Sequence, residues 1–313
     1  MTALRVAVVG VGYLGQIHAR KYLALPDVEL VGVSDQRADA GREFAAACAV
    51  PFFADPHELT GRIDAVTVAT STPAHYEIAK LFLANGVHVF VEKPMTRTSA
   101  EGRELTALAE RSNLKLQVGH VERFNPALLS ARDRLDAVRF IECHRLAPFK
   151  SRGADVNVVL DLMIHDLDVL LSLIDSRPAN VSAVGIPVLT DKIDIANARI
   201  EFDDGAIANV TASRVSMTAQ RKFRVFQRNQ YLSIDFGNGD VQLVTHEGGS
   251  VEQRGALKED RWSLEKGDAL LAEVTAFIHS VRSGEPCIVG GHDGVAALEL
   301  AETILEDIER RGF

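Results

Sequence analysis

Val6-Ala-Val-Val-Gly10-Val-Gly12-Tyr13-Leu14-Gly15 decides the fold of the first part of the chain. An apolar β-type run ends in glycines spaced G-x-G-x-x-G, and a helical segment from Gln16 to Leu25 follows. Gly10 permits the tight turn out of the strand, Gly12 lets backbone approach a pyrophosphate, and Gly15 lets the helix pack on the strand. With Tyr13 and Leu14, the glycines open a helix whose N-terminus offers N–H groups and a positive dipole end to phosphates. A second strand, Val28 to Ser34, ends in Asp35, and 35 − 15 is 20 residues, the spacing of a ribose-binding carboxylate. Such a carboxylate favours NAD over NADP because it repels a 2′-phosphate. Arg37, two residues on, works in the opposite direction. The competing reading of the glycine turn is a Rossmann-like fold holding another nucleotide, such as S-adenosylmethionine.

At 313 residues the chain is long for one core, so two domains are expected. Hydrophobic residues make up 47% and charged residues 25%, as in an ordinary soluble protein. The net charge of −9 argues against a nucleic-acid-binding surface. Cys48, Cys143 and Cys287 are odd in number and far apart, which reads as reduced thiols in a cytoplasmic protein rather than a disulfide framework or a metal site. A strand begins almost at the first residue, which leaves no room for a signal peptide, and no apolar run is long enough to span a membrane.

Strands read at Arg5–Val9, Glu29–Val33, Pro51–Phe53, Ala65–Ala69, His88–Val91 and Lys115–Val118, with helical patterns between them, such as Tyr76–Ala84. This alternation predicts a doubly wound parallel sheet over residues 1–121. The pattern then changes. One apolar helix, Val158–Ile174, precedes six successive strands between Asn180 and His246, which predicts an α+β domain with a mostly antiparallel, open-faced sheet over residues 122–313.

Several residues carry candidate chemistry. Glu92-Lys93-Pro94 follows the fifth strand directly, at the carboxyl end where open parallel sheets bind ligands. Thr70, Thr72, Pro73 and His75 follow the fourth strand at the same rim, where Thr70 and Pro73 are placed to meet a nicotinamide ribose and His75 either to join them or to cap a helix. Asp161, His165, Asp168 and Ser172 form one polar stripe on the apolar helix, and Asp161 is spaced to orient the His165 imidazole. A satisfied core histidine is the bland alternative. Arg123, just past the sixth strand, faces either a substrate anion or an interdomain ion pair. Arg214, Arg221, Lys222, Arg224 and Arg228 make a basic stretch that is either a solvated face or a partner for a diphosphate.

Gly10-x-Gly12-x-x-Gly15, the Thr-Pro segment ending in His75, Glu92-Lys93-Pro94 and Asp161-x-x-x-His165 together resemble the glucose–fructose oxidoreductase / inositol dehydrogenase / MocA (Gfo/Idh/MocA) family over essentially the whole chain. The resemblance implies NAD as cofactor, held by Gly10, Gly12, Tyr13, Leu14, Gly15, Asp35, Thr70, Thr72, Pro73, His75, Glu92 and Lys93. It implies Lys93 and His165 as acid/base residues and Asp161 as the residue placing the reacting hydroxyl; Arg123, by its position, is taken as a further substrate contact. It also implies a homodimer or homotetramer built on the second domain's sheet. Val118-Gly-His120-Val-Glu-Arg123-Phe-Asn125-Pro126 and the segment Asp155 to Asp168 are similar to the UDP-N-acetylglucosamine 3-dehydrogenases of bacterial lipid A synthesis, which implies a nucleotide-sugar substrate. The chain lacks the Gly-Gly-Gly that often precedes the catalytic aspartate in the wider family and has Val156–Val159 there. Two other readings stay open: a reductase of an imine, diene or tetrapyrrole, and a nucleotide-sensing regulator without turnover. Intact Lys93, Asp161 and His165 count against the regulator.

Overall fold

The computed structural model describes residues 2–150, 156–248, 257–265 and 267–312. The chain divides into two compact units. One runs to Val121 and takes in Leu270–Ala296, and the other holds Glu122–Ala269 and the residues from Ala297 on.

The first unit alternates β1 (Leu4–Val9), α1 (Tyr13–Ala24), β2 (Val28–Ser34), α2 (Ala38–Ala47), β3 (Phe52–Phe53), β4 (Ala65–Val68), α3 (Thr72–Ala84), β5 (His88–Glu92), α4 (Ser99–Arg111) and β6 (Leu116–Gly119). The strands lie in the order β3-β2-β1-β4-β5-β6, and every pair is parallel. Val6, Val8, Val66, Val68, Val89 and Val91 are buried, so these strands read as continuous apolar runs because helices cover both faces. The strand order reverses between β1 and β4, and that switch point leaves a crevice beyond the strands' carboxyl ends. Helix α3 starts at Thr72, earlier than the apolar periodicity from Tyr76 suggests. Ser71 is its N-cap and Pro73 sits in its first turn, where a missing N–H costs nothing.

The second unit holds α5 (Pro126–Arg132), β7 (Val138–Leu146), α6 (Ile164–Leu171), β8 (Pro178–Ile186), β9 (Ile195–Phe202), β10 (Ile207–Ser213), β11 (Gln220–Gln227), β12 (Gln230–Asp235), β13 (Asp240–His246) and β14 (Leu257–Ser263). The sheet order is β14-β13-β12-β11-β7-β10-β9-β8. Only the β7–β10 pair is parallel, and the other described pairs are antiparallel. In β9, buried Ala196, Ala198 and Ile200 alternate with exposed Asn197 and Arg199, the signature of a sheet with one covered face. The helix expected over Val158–Ile174 is two pieces, a π-helical turn at Val159–Met163 followed by α6. Met163, Leu167 and Leu170 anchor it in this unit's core.

Helices α7 (Ala269–Ser283) and α8 (Gly291–Arg310) close the chain. Val274, Phe277 and Ile278 of α7 stand at i, i+3 and i+4 and join Val6, Val8 and Phe90 in the first unit's core. Leu300, Ala301, Ile304 and Ile308 of α8 join the second unit's core. Among the described residues, no helix is long and apolar enough to cross a membrane.

Candidate active site

The glycine turn has the geometry a dinucleotide needs. Gly10 sits at φ +90°, and a Cβ there would lie 2.7 Å from the backbone of Ala69 and Thr70, across the switch point. A Cβ on Gly15 would fall 1.7 Å from the Gly10 carbonyl oxygen. A Cβ on Gly12, by contrast, would meet nothing within 4 Å, so this backbone is open on the side where a pyrophosphate approaches. Gly12 caps α1 without a side-chain hydrogen bond, and Tyr13, 66% exposed, and half-buried Leu14 complete the first turn. Asp35 is buried at the end of β2, its Oδ2 accepting the Val11 N–H and its Oδ1 the Arg37 N–H, each at 2.8 Å. A carboxylate has about four lone-pair sites, so two remain for the hydroxyls of a ribose. These residues therefore fit NAD. Arg37 Nε is 3.6 Å from Asp35 on a largely exposed side chain, too weak a pair to neutralise the carboxylate. NAD is expected to bind at least tenfold more tightly than NADP, about 1.4 kcal/mol. Fluorescence titration of both nucleotides checks this. Equal affinities would show that Arg37 outweighs Asp35, and Asp35→Ala is expected to narrow the gap.

The rim beyond β4 and β5 is tightly wired. Lys93 is half-buried directly after β5. Glu92 is only 7% exposed. Its Oε1 lies 2.7 Å from Nε2 of His18, a fully buried residue of α1, and its Oε2 accepts the Lys93 backbone N–H at 3.2 Å. Burial is the largest influence on the Glu92 carboxyl and pushes its pKa up. The His18 hydrogen bond and charge, with the Lys93 charge and N–H, outweigh burial and leave Glu92 below the ordinary range. His75 is buried, with Nδ1 2.9 Å from the Pro94 carbonyl and Nε2 3.1 Å from the Thr70 carbonyl. It thus ties the end of β4 to the segment after Lys93, and any influence of its ring nitrogens on a ligand runs through that backbone. Burial lowers its pKa against those two hydrogen bonds, so the neutral ring donates to one carbonyl at a time. Thr70 and Thr72 are half-buried and Pro73 is exposed, all at this rim.

In the second unit, Asp161 lies in the π-helical turn and His165 in the first turn of α6, both half-buried. Asn157 Oδ1 accepts the Leu160 N–H at 3.0 Å and so ties the residue before the helical segment to the π-helical turn. Arg123 is buried in a 3₁₀ turn, Val121–Phe124, with Nη1 3.4 Å from Asp168 Oδ1. Arg123 thus has a carboxylate of its own unit as a partner. Asp166, off the expected stripe, proves central. Arg145 of β7, 4% exposed, donates Nε and Nη2 to the Asp166 carboxylate at 2.9 and 2.8 Å and Nη1 to Glu122 at 2.9 Å. One guanidinium therefore joins the turn carrying Arg123 to the helix carrying His165. The sequence signal for it is an arginine at a core-facing β position, in register with buried Ile141 and Cys143.

The basic stretch does not form one surface. Arg214 is buried, with Nη2 on the Val156 carbonyl and Nε 3.7 Å from Asp194. Arg224 pairs with Glu142 at 3.0 Å, while Arg221 is exposed and 3.9 Å from Glu122. No group of three His, Cys, Asp or Glu among the described residues is arranged to hold a metal ion.

The chain resembles known proteins along almost its whole length. Residues 4–120 match the family model described as an oxidoreductase family with an NAD-binding Rossmann fold, and residues 131–232 match the GFO/IDH/MocA C-terminal domain. A UDP-N-acetylglucosamine 3-dehydrogenase of Acidithiobacillus ferrooxidans is 36% identical over 99% of this chain and 98% of its own length. A solved structure of that enzyme superposes with a TM-score of 0.93 over 99% of both chains. A myo-inositol 2-dehydrogenase of Thermotoga maritima is 27% identical over 98% of this chain and 97% of its own. The chain belongs to the Gfo/Idh/MocA family and is an NAD-dependent oxidoreductase.

Proposed function

We propose that the protein oxidises a secondary sugar hydroxyl, the 3-hydroxyl of UDP-N-acetylglucosamine, to a ketone. The observation that carries this reading is the end-to-end similarity to an enzyme of that name, at 36% identity and a TM-score of 0.93. The strings around Arg123 and His165 support it. Bound NAD supplies the acceptor for the hydrogen leaving the carbinol carbon. Lys93 and His165 share the work on the hydroxyl proton, one removing it and the other holding the oxygen through the step. Asp161 orients His165 and the substrate hydroxyl, and Arg123 contributes to substrate binding. The exposed Arg221, beside Glu122, is a cation on this unit suited to a diphosphate.

In this reading the ketone feeds an amino-transfer step of lipid A synthesis, the chain works in the cytoplasm with its cysteines reduced, and the eight-stranded sheet builds a homodimer or homotetramer.

A free hexosamine lacks the diphosphate. UDP-N-acetylglucosamine is therefore expected to be turned over and free N-acetylglucosamine is not. The ketone is unfavourable at equilibrium, so the assay includes a ketone trap or a coupled transaminase. Mass spectrometry then reports loss of two hydrogens from the nucleotide sugar. Activity on inositol or free sugars without that product would overturn the substrate assignment.

A further inference from the structure

The first unit contains a buried imidazole–carboxylate pair behind Lys93 that a nucleotide fold does not require. His18 belongs to α1, the helix opened by the glycine turn. Its ring packs edge-on against Phe90 of β5, with centroids 4.9 Å apart. Glu92 closes β5, opposite Gly119 of β6. A Cβ on Gly119 would lie 2.8 Å from Glu92 Oε2, so the absent side chain leaves the carboxylate its place. An ionised carboxylate only accepts hydrogen bonds, so His18 Nε2 carries the hydrogen shared with Oε1. The other oxygen takes the Lys93 N–H. A core of this kind is ordinarily filled with apolar side chains, and a buried carboxylate is costly unless its charge is used or paired.

We propose that His18 and Glu92 are positioning residues for Lys93: the His18 hydrogen bond keeps an ionised carboxylate against the Lys93 segment, and that carboxylate sets how tightly the lysine amine holds its proton. The proposal rests on the reading of Lys93 as an acid/base residue. It also links two functions in one contact, because the helix that receives the nucleotide phosphates supplies the imidazole. Among the described residues, the titratable and charged groups acting on the carboxylate are His18 from α1 and Lys93 after β5, while His75 from α3 feels both Glu92 and Lys93. Glu92 favours the ammonium form of Lys93. Removing its charge must lower the lysine's proton affinity, and removing the His18 donor acts in the same direction by releasing the carboxylate from its fixed place beside the Lys93 segment.

The test reads Lys93 itself. The full-length protein, without added nucleotide, is treated with a small amine-acylating reagent over a pH series, and modification of the Lys93 peptide is followed by mass spectrometry. In Glu92→Gln the labelling midpoint of Lys93 is expected to fall by about one pH unit or more, and in His18→Leu by a smaller amount in the same direction. His18→Gln keeps an N–H donor and is expected to stay near wild type. An unchanged midpoint in Glu92→Gln overturns the proposal, as does a His18→Gln midpoint displaced as far as that of His18→Leu. Circular dichroism confirms the fold of each variant, and if His18→Leu does not fold, the Glu92→Gln and His18→Gln pair decides. Failure of the underlying reading looks different, because Lys93→Met would then keep full turnover whatever the labelling shows.

Discussion

Lys93→Met is expected to lower turnover by roughly two orders of magnitude or more, as loss of general acid–base help does, which corresponds to about 2.7 kcal/mol of transition-state stabilisation. Methionine keeps an unbranched stem of similar length in the half-buried site after β5 and removes only the amine. The fold is therefore expected to stay close to wild type and most of the affinity for NAD to be kept, since the glycine turn and Asp35 are untouched. His165→Asn is expected to behave likewise through the second unit. Turnover is read from NADH absorbance under ketone trapping, nucleotide affinity from fluorescence, and the fold from circular dichroism. If one variant alone loses activity, that residue is the primary base and the other positions substrate. Near-normal turnover in both variants would remove Lys93 and His165 from the chemistry.

The nucleotide unit is legible because its local rules agree with its global fold. Buried β-branched runs, the glycine spacing and Asp35 each predict one arrangement, and the parallel sheet and the Asp35 contacts follow it. The second unit is less legible for identifiable reasons. Strand β7, at the centre of its sheet, alternates over residues 141–144 but puts Arg145 at the next core-facing position, which breaks the apolar alternation that announces a strand. The reason for that break, the ion pair of Arg145 with Asp166, joins residues 21 positions apart, so local sequence does not name the partner. The π-helical turn shifts the register that an ideal helix would give, so a stripe counted at 3.6 residues per turn lists Asp168 but omits Asp166. His18 falls on the nucleotide helix as one more polar residue, and only the folded contact with Glu92 gives it a role. The apolar stripe of α7 shows that it covers a core but not that the core is the first unit's.

Arg145→Met is expected to destabilise the second unit by about 3–5 kcal/mol, because removing one partner of a buried ion pair leaves the other charge uncompensated. Here two carboxylates lose their buried cation, and only the exposed Arg221 stays near Glu122. Asp166 forfeits a two-pronged pairing at 2.9 and 2.8 Å, and Glu122 loses a bond at 2.9 Å. Burial acts against the arginine's charge, and those two carboxylates outweigh it, so Arg145 remains a cation throughout the accessible pH range. Burial is also the largest influence on Asp166 and holds its pKa above the ordinary value, with Arg145 pulling the other way. Without Arg145 the Asp166 pKa rises further. A carboxyl whose pKa is raised by folding costs nothing below its unfolded value, and its burden grows as pH rises through the folded value. The stability gap between wild type and variant is therefore fullest at neutral pH and closes as pH falls toward about 4. Trp262, the chain's one tryptophan, reports on this unit specifically: it packs against that core, donates Nε1–H to Ser130 Oγ at 2.9 Å and lies under Arg134. Urea unfolding followed by its fluorescence measures the loss. Adding Glu122→Gln and Asp166→Asn to Arg145→Met is expected to recover part of the stability, since the stranded charges and not the missing guanidinium volume carry most of the cost. An unfolding free energy within about 1 kcal/mol of wild type for Arg145→Met at neutral pH would mean that water reaches these carboxylates and that Arg145 does not hold the Arg123 turn against the His165 helix.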